Sequence, residues 1–255
     1  MHGTKQAVLD AWLDYTDPLE GGAVTNFMYL DFKGLVTTVY GSLVDPVGYA
    51  LSCPWRTMDG RPATEDEVRA DFARVKLRQD LKLRGGMVYR DISRLRLDEL
   101  GIQQVVQRKI KTAVFNLRTV YPAWSTWCAD AQMAVLSKAW ACGAKFGYAG
   151  WPKLHVALLA QDWRLAADET PYGNAHGTVA QRGEHEIRML LNAARVTELG
   201  CDPEVLWWPG EPEAPPDSAQ PVEVATLPGV GSPGYQATSE AVHEAARRHL
   251  ERERE

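Results

Sequence analysis

The residues that could do chemistry are concentrated between positions 19 and 41. Glu20 is followed by two glycines, which let another molecule approach closely, and Asp31 lies in a predicted turn with Thr37 on the strand after it. Hydrolysis of a glycosidic bond requires one carboxylic acid to protonate the leaving oxygen and a second acidic group on the other face of the sugar. Glu20 and Asp31 are candidates for this pair. The same spacing is compatible with a Glu at a helix end and an Asp in a turn that have only structural roles.

Two elements would have to position these side chains. Residues 5–17 carry apolar side chains at helical spacing and predict a short amphipathic helix that ends near Pro18, just before Glu20. The β-rich runs 27–30 and 35–40 flank a turn that ends in glycine, which predicts a hairpin. A helix end and a hairpin that face each other across a cleft could supply the two acids.

The rest of the chain has a helical pattern. Thr64 and Glu67 form the Thr-x-x-Glu pattern of a capping box, which predicts a helix that begins there and continues to about Leu83. Residues 124–142 are apolar on nearly all sides, which predicts a buried central helix that ends at Gly143. Further helices are predicted between Leu100 and Pro122, at 152–167 and at 179–199. We therefore expect an α+β protein, with a small lobe that contains the hairpin and a larger helical lobe around the central helix.

Charge and composition separate a body from a tail. The chain has 255 residues, a formal charge of −5 and a pI near 5.7, which argues against a nucleic-acid-binding surface over the whole molecule. Residues 211–255 hold nine acids and four arginines, and seven prolines lie between Pro209 and Pro233. We predict one catalytic domain at 1–209, a Pro-rich linker at 210–236, and a charged tail at 237–255 that could form a short helix.

Other classes of site and location are not indicated. No stretch of about 18 uncharged apolar residues is present, and Asp10 lies where a signal peptide would need its apolar region. We expect synthesis in the cytoplasm without a signal peptide, no membrane insertion and no nucleic-acid partner. The four cysteines have no metal-ligand spacing, so no metal or other cofactor is expected, and the sequence gives no oligomeric state.

These residues resemble the phage-type lysozyme superfamily, and especially its pesticin-like muramidase branch. In that superfamily a helix ends in Glu-Gly, as Glu20-Gly21 does here, and an Asp-x-x-Gly-x-x-Thr hairpin follows, which the segment from Asp31 to Thr37 matches position by position. The apolar helix around Asp130 is similar to the central helix of that fold. The run from Thr178 resembles the C-terminal helix of the pesticin-like branch.

The resemblance implies a muramidase that cleaves the β-1,4 bond between N-acetylmuramic acid and N-acetylglucosamine in bacterial peptidoglycan. Glu20 would be the general acid, Asp31 would stay ionised and stabilise positive charge or activate water, and Thr37 would hold that water, so the product would have inverted stereochemistry. Asp45 is an alternative to Asp31, because some relatives place an essential Asp after the strand. The residues expected to contact substrate are Gly21, Tyr29, Tyr40 and Arg182.

The biological setting stays open at this point. A phage endolysin, a virion-borne enzyme and an injected antibacterial effector all suit a muramidase without a signal peptide. Val39 occupies the place of a glycine in the strand motif of the short phage enzymes, and this change with the acidic tail motivates an inactive glycan-binding or structural virion module instead. A chitinase or lytic transglycosylase is a third, weaker alternative.

Overall fold

The computed structural model describes residues 3–20 and 25–214, and within them the protein has an α+β fold. The chain divides into two compact units. The first, Ala11–Phe115, contains all the described strands and is called the hairpin unit. The second, called the helical unit, consists of Met1–Asp10 and Asn116–Glu255.

The hairpin unit combines helices with two small antiparallel sheets. Its elements are α1 Gln6–Leu19, β1 Tyr29–Leu30, β2 Val36–Thr38, β3 Ser42–Leu43, α2 Val47–Leu51, β4 Arg56–Thr57, α3 Glu65–Lys76, 3-10 turns at Gln79–Leu81 and Gly86–Tyr89, β5 Leu95–Arg96 and α4 Glu99–Val120. The first sheet has the strand order β1-β2-β3, and the second consists of β4 and β5. The chain of α1 and of α4 runs across the boundary between the two units.

The predicted hairpin is confirmed. Tyr29 pairs with Thr37 and Leu30 with Val36 in antiparallel register, and the connection is closed by the amide of Gly34, which donates to the carbonyl of Asp31 at 2.9 Å. Gly34 has φ +77°, a conformation that glycine adopts at little cost. The Asp-x-x-Gly sequence is therefore the turn itself.

The capping box is confirmed, but α3 ends seven residues before the predicted position. The hydroxyl of Thr64 accepts from the Glu67 amide, and the Glu67 carboxylate accepts from the Thr64 amide. The helix stops at Lys76. The side-chain amide of Gln79 donates to the carbonyl of Lys76 and to that of Gly34, so side-chain hydrogen bonds and 3-10 turns replace the α-helical ladder.

The helical unit is built around a buried helix. Its elements are a 3-10 turn at Pro122–Thr126, α5 Ala129–Cys142, α6 Phe146–Ala149, α7 Pro152–Ala160, α8 Trp163–Glu169 and α9 Thr178–Leu199. Every residue of α5 from Ala129 to Trp140 is buried, and Gly143 ends the helix at φ +84°, which confirms the buried central helix and its end. The predicted start at residue 124 is wrong, because Pro122–Thr126 forms a separate 3-10 turn before α5. The helix predicted at 152–167 is instead two helices, because Gln161 adopts φ +55° and the Asp162 carboxylate caps α8.

Packing continues past the predicted domain end at residue 209. The Asn192 amide donates to the carbonyl of Gly210 at 3.1 Å, Glu211 forms an ion pair with Arg195, and Pro212 is buried. Most of the predicted linker 210–236 and all of the predicted tail lie outside the described residues. Within the described part of the chain, no helix is long and apolar enough to cross a membrane.

Candidate functional site

Glu20 lies immediately after α1, where the helix presents its end to the hairpin unit. Its amide donates to the carbonyl of Thr16 at 3.0 Å, which completes the last turn, and its side chain is half-buried. The helix is fixed by a buried face that includes Trp12, Tyr15 and Leu19. Packing of α1 therefore sets the position of the Glu20 carboxylate. The predicted substrate contact Gly21 lies outside the described residues.

Asp31 is the first residue of the hairpin turn and is half-buried. Its Oδ1 atom accepts from the amides of Lys33 at 2.9 Å and Leu35 at 2.8 Å, an Asx arrangement that locks the turn. Oδ2 of Asp31 has no hydrogen-bond partner among the described residues. One oxygen of the carboxylate thus builds the turn, while the other is available to a ligand or a water molecule.

The charges of the candidate acids act on two tyrosines of the hairpin. Burial raises the pKa of Tyr29, hydrogen bonds with Thr25 and the Gly41 backbone oppose the rise, and the negative charges of Glu20 and Asp31 add to it. The charge of Glu20 also helps to raise the pKa of Tyr40. Both candidate acids therefore lie within electrostatic range of the same tyrosine on β1.

Tyr40 connects the hairpin to the end of α1. Its hydroxyl donates to Oδ1 of Asp17 at 2.7 Å, one helical turn before Glu20, and its ring is buried. Burial first, and then this hydrogen bond to a carboxylate, raise the pKa of Tyr40. Tyr40, predicted as a substrate contact, is placed where it fixes the distance between the strand β2 and the helix end that bears Glu20.

The turn that holds Tyr40 has unusual backbone angles. Tyr40 and Gly41 both have positive φ, +48° and +68°, and the amide of Ser42 donates to the carbonyl of Val39 at 3.0 Å, which closes the turn. A non-glycine residue in this region carries strain, typically about 1–3 kcal/mol. Nζ of Lys109 donates to the carbonyl of Tyr40 at 2.8 Å, so a lysine from α4 supports the strained turn.

Thr37 lies on the same hairpin but is covered. Its side chain is 3% exposed, its hydroxyl donates to the carbonyl of Leu35 at 3.2 Å, and its backbone is paired on both sides, with Tyr29 and with Leu43. The structure thus covers the threonine that the sequence predicted to hold a catalytic water.

Asp45, the alternative second acid, is held in an ion pair. Oδ2 of Asp45 contacts Nζ of Lys76 and accepts from the amide of Val36 at 3.0 Å. Burial by itself would raise the pKa of Asp45, but the hydrogen bonds from Lys76 and Val36 and the charge of Lys76 lower it overall. The Asp45 carboxylate joins the start of α2 to α3 and is committed to these two partners.

Arg182 belongs to the helical unit, where it is part of a buried charged cluster. It is 4% exposed, and its Nη1 lies 3.2 Å from the hydroxyl of Ser137, which in turn donates to Oε1 of Glu186 at 2.8 Å. Oε2 of Glu186 lies 3.1 Å from Nζ of Lys138, and both side chains are at most 1% exposed. Arg182, predicted as a substrate contact, thus has its described contacts inside this unit.

Aromatic rings enclose the ammonium group of this cluster. Nζ of Lys138 is 3.4 Å from the ring centroid of Tyr172 and 4.6 Å from that of Trp151, and it donates to the carbonyl of Thr170. The Tyr172 hydroxyl donates to Oε1 of Glu186 at 2.9 Å. Burial raises the pKa of Glu186, and the nearby Lys138 opposes that rise, so the ion pair and its hydrogen bonds keep a buried carboxylate compensated.

The structure therefore assembles most of the predicted residues in one unit. Glu20, Asp31, Tyr29, Tyr40 and Thr37 all belong to the hairpin unit. Three positioning residues were missed, and they are Asp17, Lys76 and Lys109. The Tyr-Gly pair before β3 was a usable signal for the second turn, whereas the partners of that turn come from distant helices. Within the described residues, no group of three or more His, Cys, Asp or Glu side chains could hold a metal ion.

Comparison with known proteins gives no match to this chain, whether with protein-family models, with curated proteins or with solved structures.

Proposed function

We propose that this protein is a peptidoglycan muramidase with a lysozyme-like arrangement, and that the hairpin unit carries its acid. The observation that carries the proposal is the half-buried carboxyl group of Glu20 at the end of α1, within electrostatic range of the hairpin tyrosines Tyr29 and Tyr40. An Asp at the hairpin turn with one open oxygen is the second element. A helix-end acid and a hairpin acid in one compact unit suit cleavage of a glycan chain.

Glu20 is the general acid in this proposal. It protonates the oxygen of the leaving N-acetylglucosamine while the bond to N-acetylmuramic acid breaks. A glycan bound over this half-buried carboxyl group would exclude water from it. The hydrogen bond between Tyr40 and Asp17 holds the last turn of α1, which precedes Glu20, against the hairpin.

Asp31 is the second acidic group. Two backbone amides donate to its Oδ1 and orient the carboxylate, and Oδ2 accepts a proton from the attacking water. Thr37, on the adjacent strand, lines the position of that water. Because water attacks from the face opposite the leaving group, we expect the β-linked glycan to yield the α-anomer first. Proton NMR before mutarotation tests this, and initial β-anomer would assign direct attack by a carboxylate.

One observation favours a second candidate, a glycan-binding or structural module without activity. Thr37 is only 3% exposed, and its hydroxyl is already bonded to Leu35. A hairpin whose water-binding threonine is covered could still bind glycan chains through Tyr29 and the open oxygen of Asp31. The two candidates differ only in turnover, since both need the same substrate surface.

Digestion of purified peptidoglycan sacculi separates the candidates. For a muramidase we expect loss of turbidity and new reducing N-acetylmuramic acid ends by mass spectrometry. Ends that carry 1,6-anhydro rings would identify a lytic transglycosylase, and N-acetylglucosamine reducing ends would identify a glucosaminidase. Sacculi that retain the protein on sedimentation but release no fragments would assign the binding module and refute the enzymatic proposal.

A further inference from the structure

The segment that follows α3 has an unusual surface. Residues 77–90, called the basic loop, contain four large apolar side chains that point to solvent, and two of them, Leu77 and Leu83, are each 80% exposed. Met87 and Val88 are 50% and 38% exposed. Large exposed apolar groups close together in one short segment mark interaction surfaces more often than isolated ones do.

The same segment is strongly basic. It has four basic residues and a single acid, Asp80, which is already paired with Arg78 at 2.8 Å. No carboxylate in the described part of the chain lies within ion-pair distance of Lys82, Arg84 or Arg90. The basic loop thus has a net positive charge beside its exposed leucines, although the chain as a whole carries −5.

These apolar side chains are exposed although the basic loop is held in place by contacts with the rest of the hairpin unit. Tyr89 is fully buried beneath it and donates its hydroxyl to the carbonyl of Arg78 at 3.0 Å. Gly86 lies so close to Tyr29 that an added Cβ would be 3.2 Å from its ring. The side-chain amide of Gln79 also donates to the carbonyl of Gly34, so the loop is held near its start, its middle and its end. Its exposed leucines therefore extend from a fixed backbone.

We propose that the basic loop binds the surface of an anionic lipid bilayer. An anionic polymer would account for the basic residues but not for the exposed leucines. An anionic bilayer accounts for both, because the cations contact its headgroups while Leu77 and Leu83 insert below them. This binding is interfacial and needs no membrane-spanning helix, which was the kind of insertion that the sequence argued against. It does not depend on the proposed hydrolysis.

Vesicle sedimentation of the full chain tests this proposal. Vesicles of equal phosphatidylglycerol and phosphatidylcholine should bind the protein at least tenfold more tightly than pure phosphatidylcholine, and high salt should weaken the binding. Leu77→Ser with Leu83→Ser should weaken it by at least tenfold, because each leucine loses its apolar contact. Lys82→Gln with Arg84→Gln should weaken it by roughly 25-fold, since each cation near an anionic surface contributes about fivefold.

Leu100→Ser is the matched control. Leu100 is also exposed, at 59%, but it follows two acids, Asp98 and Glu99, so its replacement should change vesicle binding by less than about twofold.

Equal binding to both vesicle types, no binding, or unchanged binding of the double leucine variant would each overturn the proposal. Self-association that the leucine variant abolishes, without vesicle binding, would instead assign the loop to a second copy of the chain. Digestion of lipid-free sacculi should be the same for all variants, which separates this test from that of the muramidase.

Discussion

The hairpin site and the buried cluster of the helical unit both place carboxylates beside tyrosines, but they differ in how far solvent can reach those carboxylates. Glu186 is completely buried and its carboxylate is surrounded by Ser137, Tyr172 and Lys138. Glu20 and Asp31 are only half-buried, and one oxygen of Asp31 is open. The buried cluster is compensated from within, whereas the hairpin site keeps carboxylate oxygens that a ligand can reach.

The shifted pKa values of the buried cluster have a structural cause. Burial lowers the pKa of Lys138 and raises those of Glu186 and Tyr172, and these groups contact one another inside the helical unit. The solvent exposure of the carboxylates distinguishes the two regions better than their pKa values do, because a substrate must contact any acid that protonates it.

The largest expected effect is on activity. Glu20→Gln keeps the shape of the side chain but cannot donate a proton, so we expect sacculus hydrolysis to fall by roughly 10²–10⁴-fold with unfolding unchanged. Asp14→Asn, an exposed acid on the same helix, is the control and should retain full activity. If Glu20→Gln retains more than about a tenth of the wild-type rate, Glu20 is not the general acid, and its exposure does not distinguish it from the buried cluster.

Next in size is the stability of the buried cluster. Lys138→Met leaves Glu186 buried without its cation, and we expect the free energy of unfolding to fall by about 3–5 kcal/mol. The double variant Lys138→Met/Glu186→Leu should recover part of that loss in denaturant unfolding. Lys153→Met is the control, since Lys153 is 79% exposed beside Glu169 and should matter by less than about 1 kcal/mol. Equal effects of the two lysine substitutions would contradict a compensated cluster.

The ion pair of Asp45 gives a smaller, pH-dependent effect. Asp45→Asn should lower the free energy of unfolding at pH 7 by about 1.5–3 kcal/mol, because it removes a charged hydrogen bond to Lys76. The pKa of Asp45 is lower in the folded protein, so its contribution is complete above the ordinary value of 3.8 and is lost as the pH falls through the folded value.

The difference between the wild type and Asp45→Asn should therefore shrink below about pH 4. Urea titrations at neutral and acidic pH measure it, with the exposed Asp168→Asn as the control. A difference that is constant across this pH range would show that Asp45 is not held as an ion. An intact hydrolysis rate in the folded variant would further support Asp31 over Asp45 as the second acid.

The smallest effects concern the end of the chain. Truncation after Ala214 keeps all the described contacts of α9 and should change the free energy of unfolding by less than about 0.5 kcal/mol, with activity intact. Truncation after Gly210 also removes the pair of Glu211 with Arg195 and buried Pro212, and about 1 kcal/mol should be lost. Thermal unfolding of the two forms measures the difference. A large loss of unfolding free energy on truncation after Ala214 would show that residues 215–255 pack on the body.

Local chemistry made parts of the fold predictable from the sequence. The Asp-x-x-Gly turn, the Thr64 capping box and the apolar helix that ends at Gly143 each depend on residues a few positions apart, and all three are confirmed. The end of α3 was not predictable in the same way. It depends on Gln79 reaching the carbonyl of Gly34, which is far away in the sequence.

The candidate site was predictable in its residue types but not in its supports. Nothing close in sequence links Tyr40 to Asp17, or the turn carbonyl to Lys109, because these contacts join separate elements. The same holds for the neighbours of Arg182. Ser137 and Lys138 interrupt an apolar helix, and only the packed structure shows that Glu186 compensates them.

The positive φ of Tyr40 has a consequence for anyone who would engineer this protein for thermostability. Asn tolerates a positive φ better than most other residues, so a design rule based on turn propensity would replace Tyr40 with Asn. That exchange would relax the backbone but would separate the turn from Asp17, and with it from the helix end that carries Glu20. The relaxed turn and the contact with the helix end that carries Glu20 therefore require different residues at one position, and a library selected only for melting temperature would lose that contact.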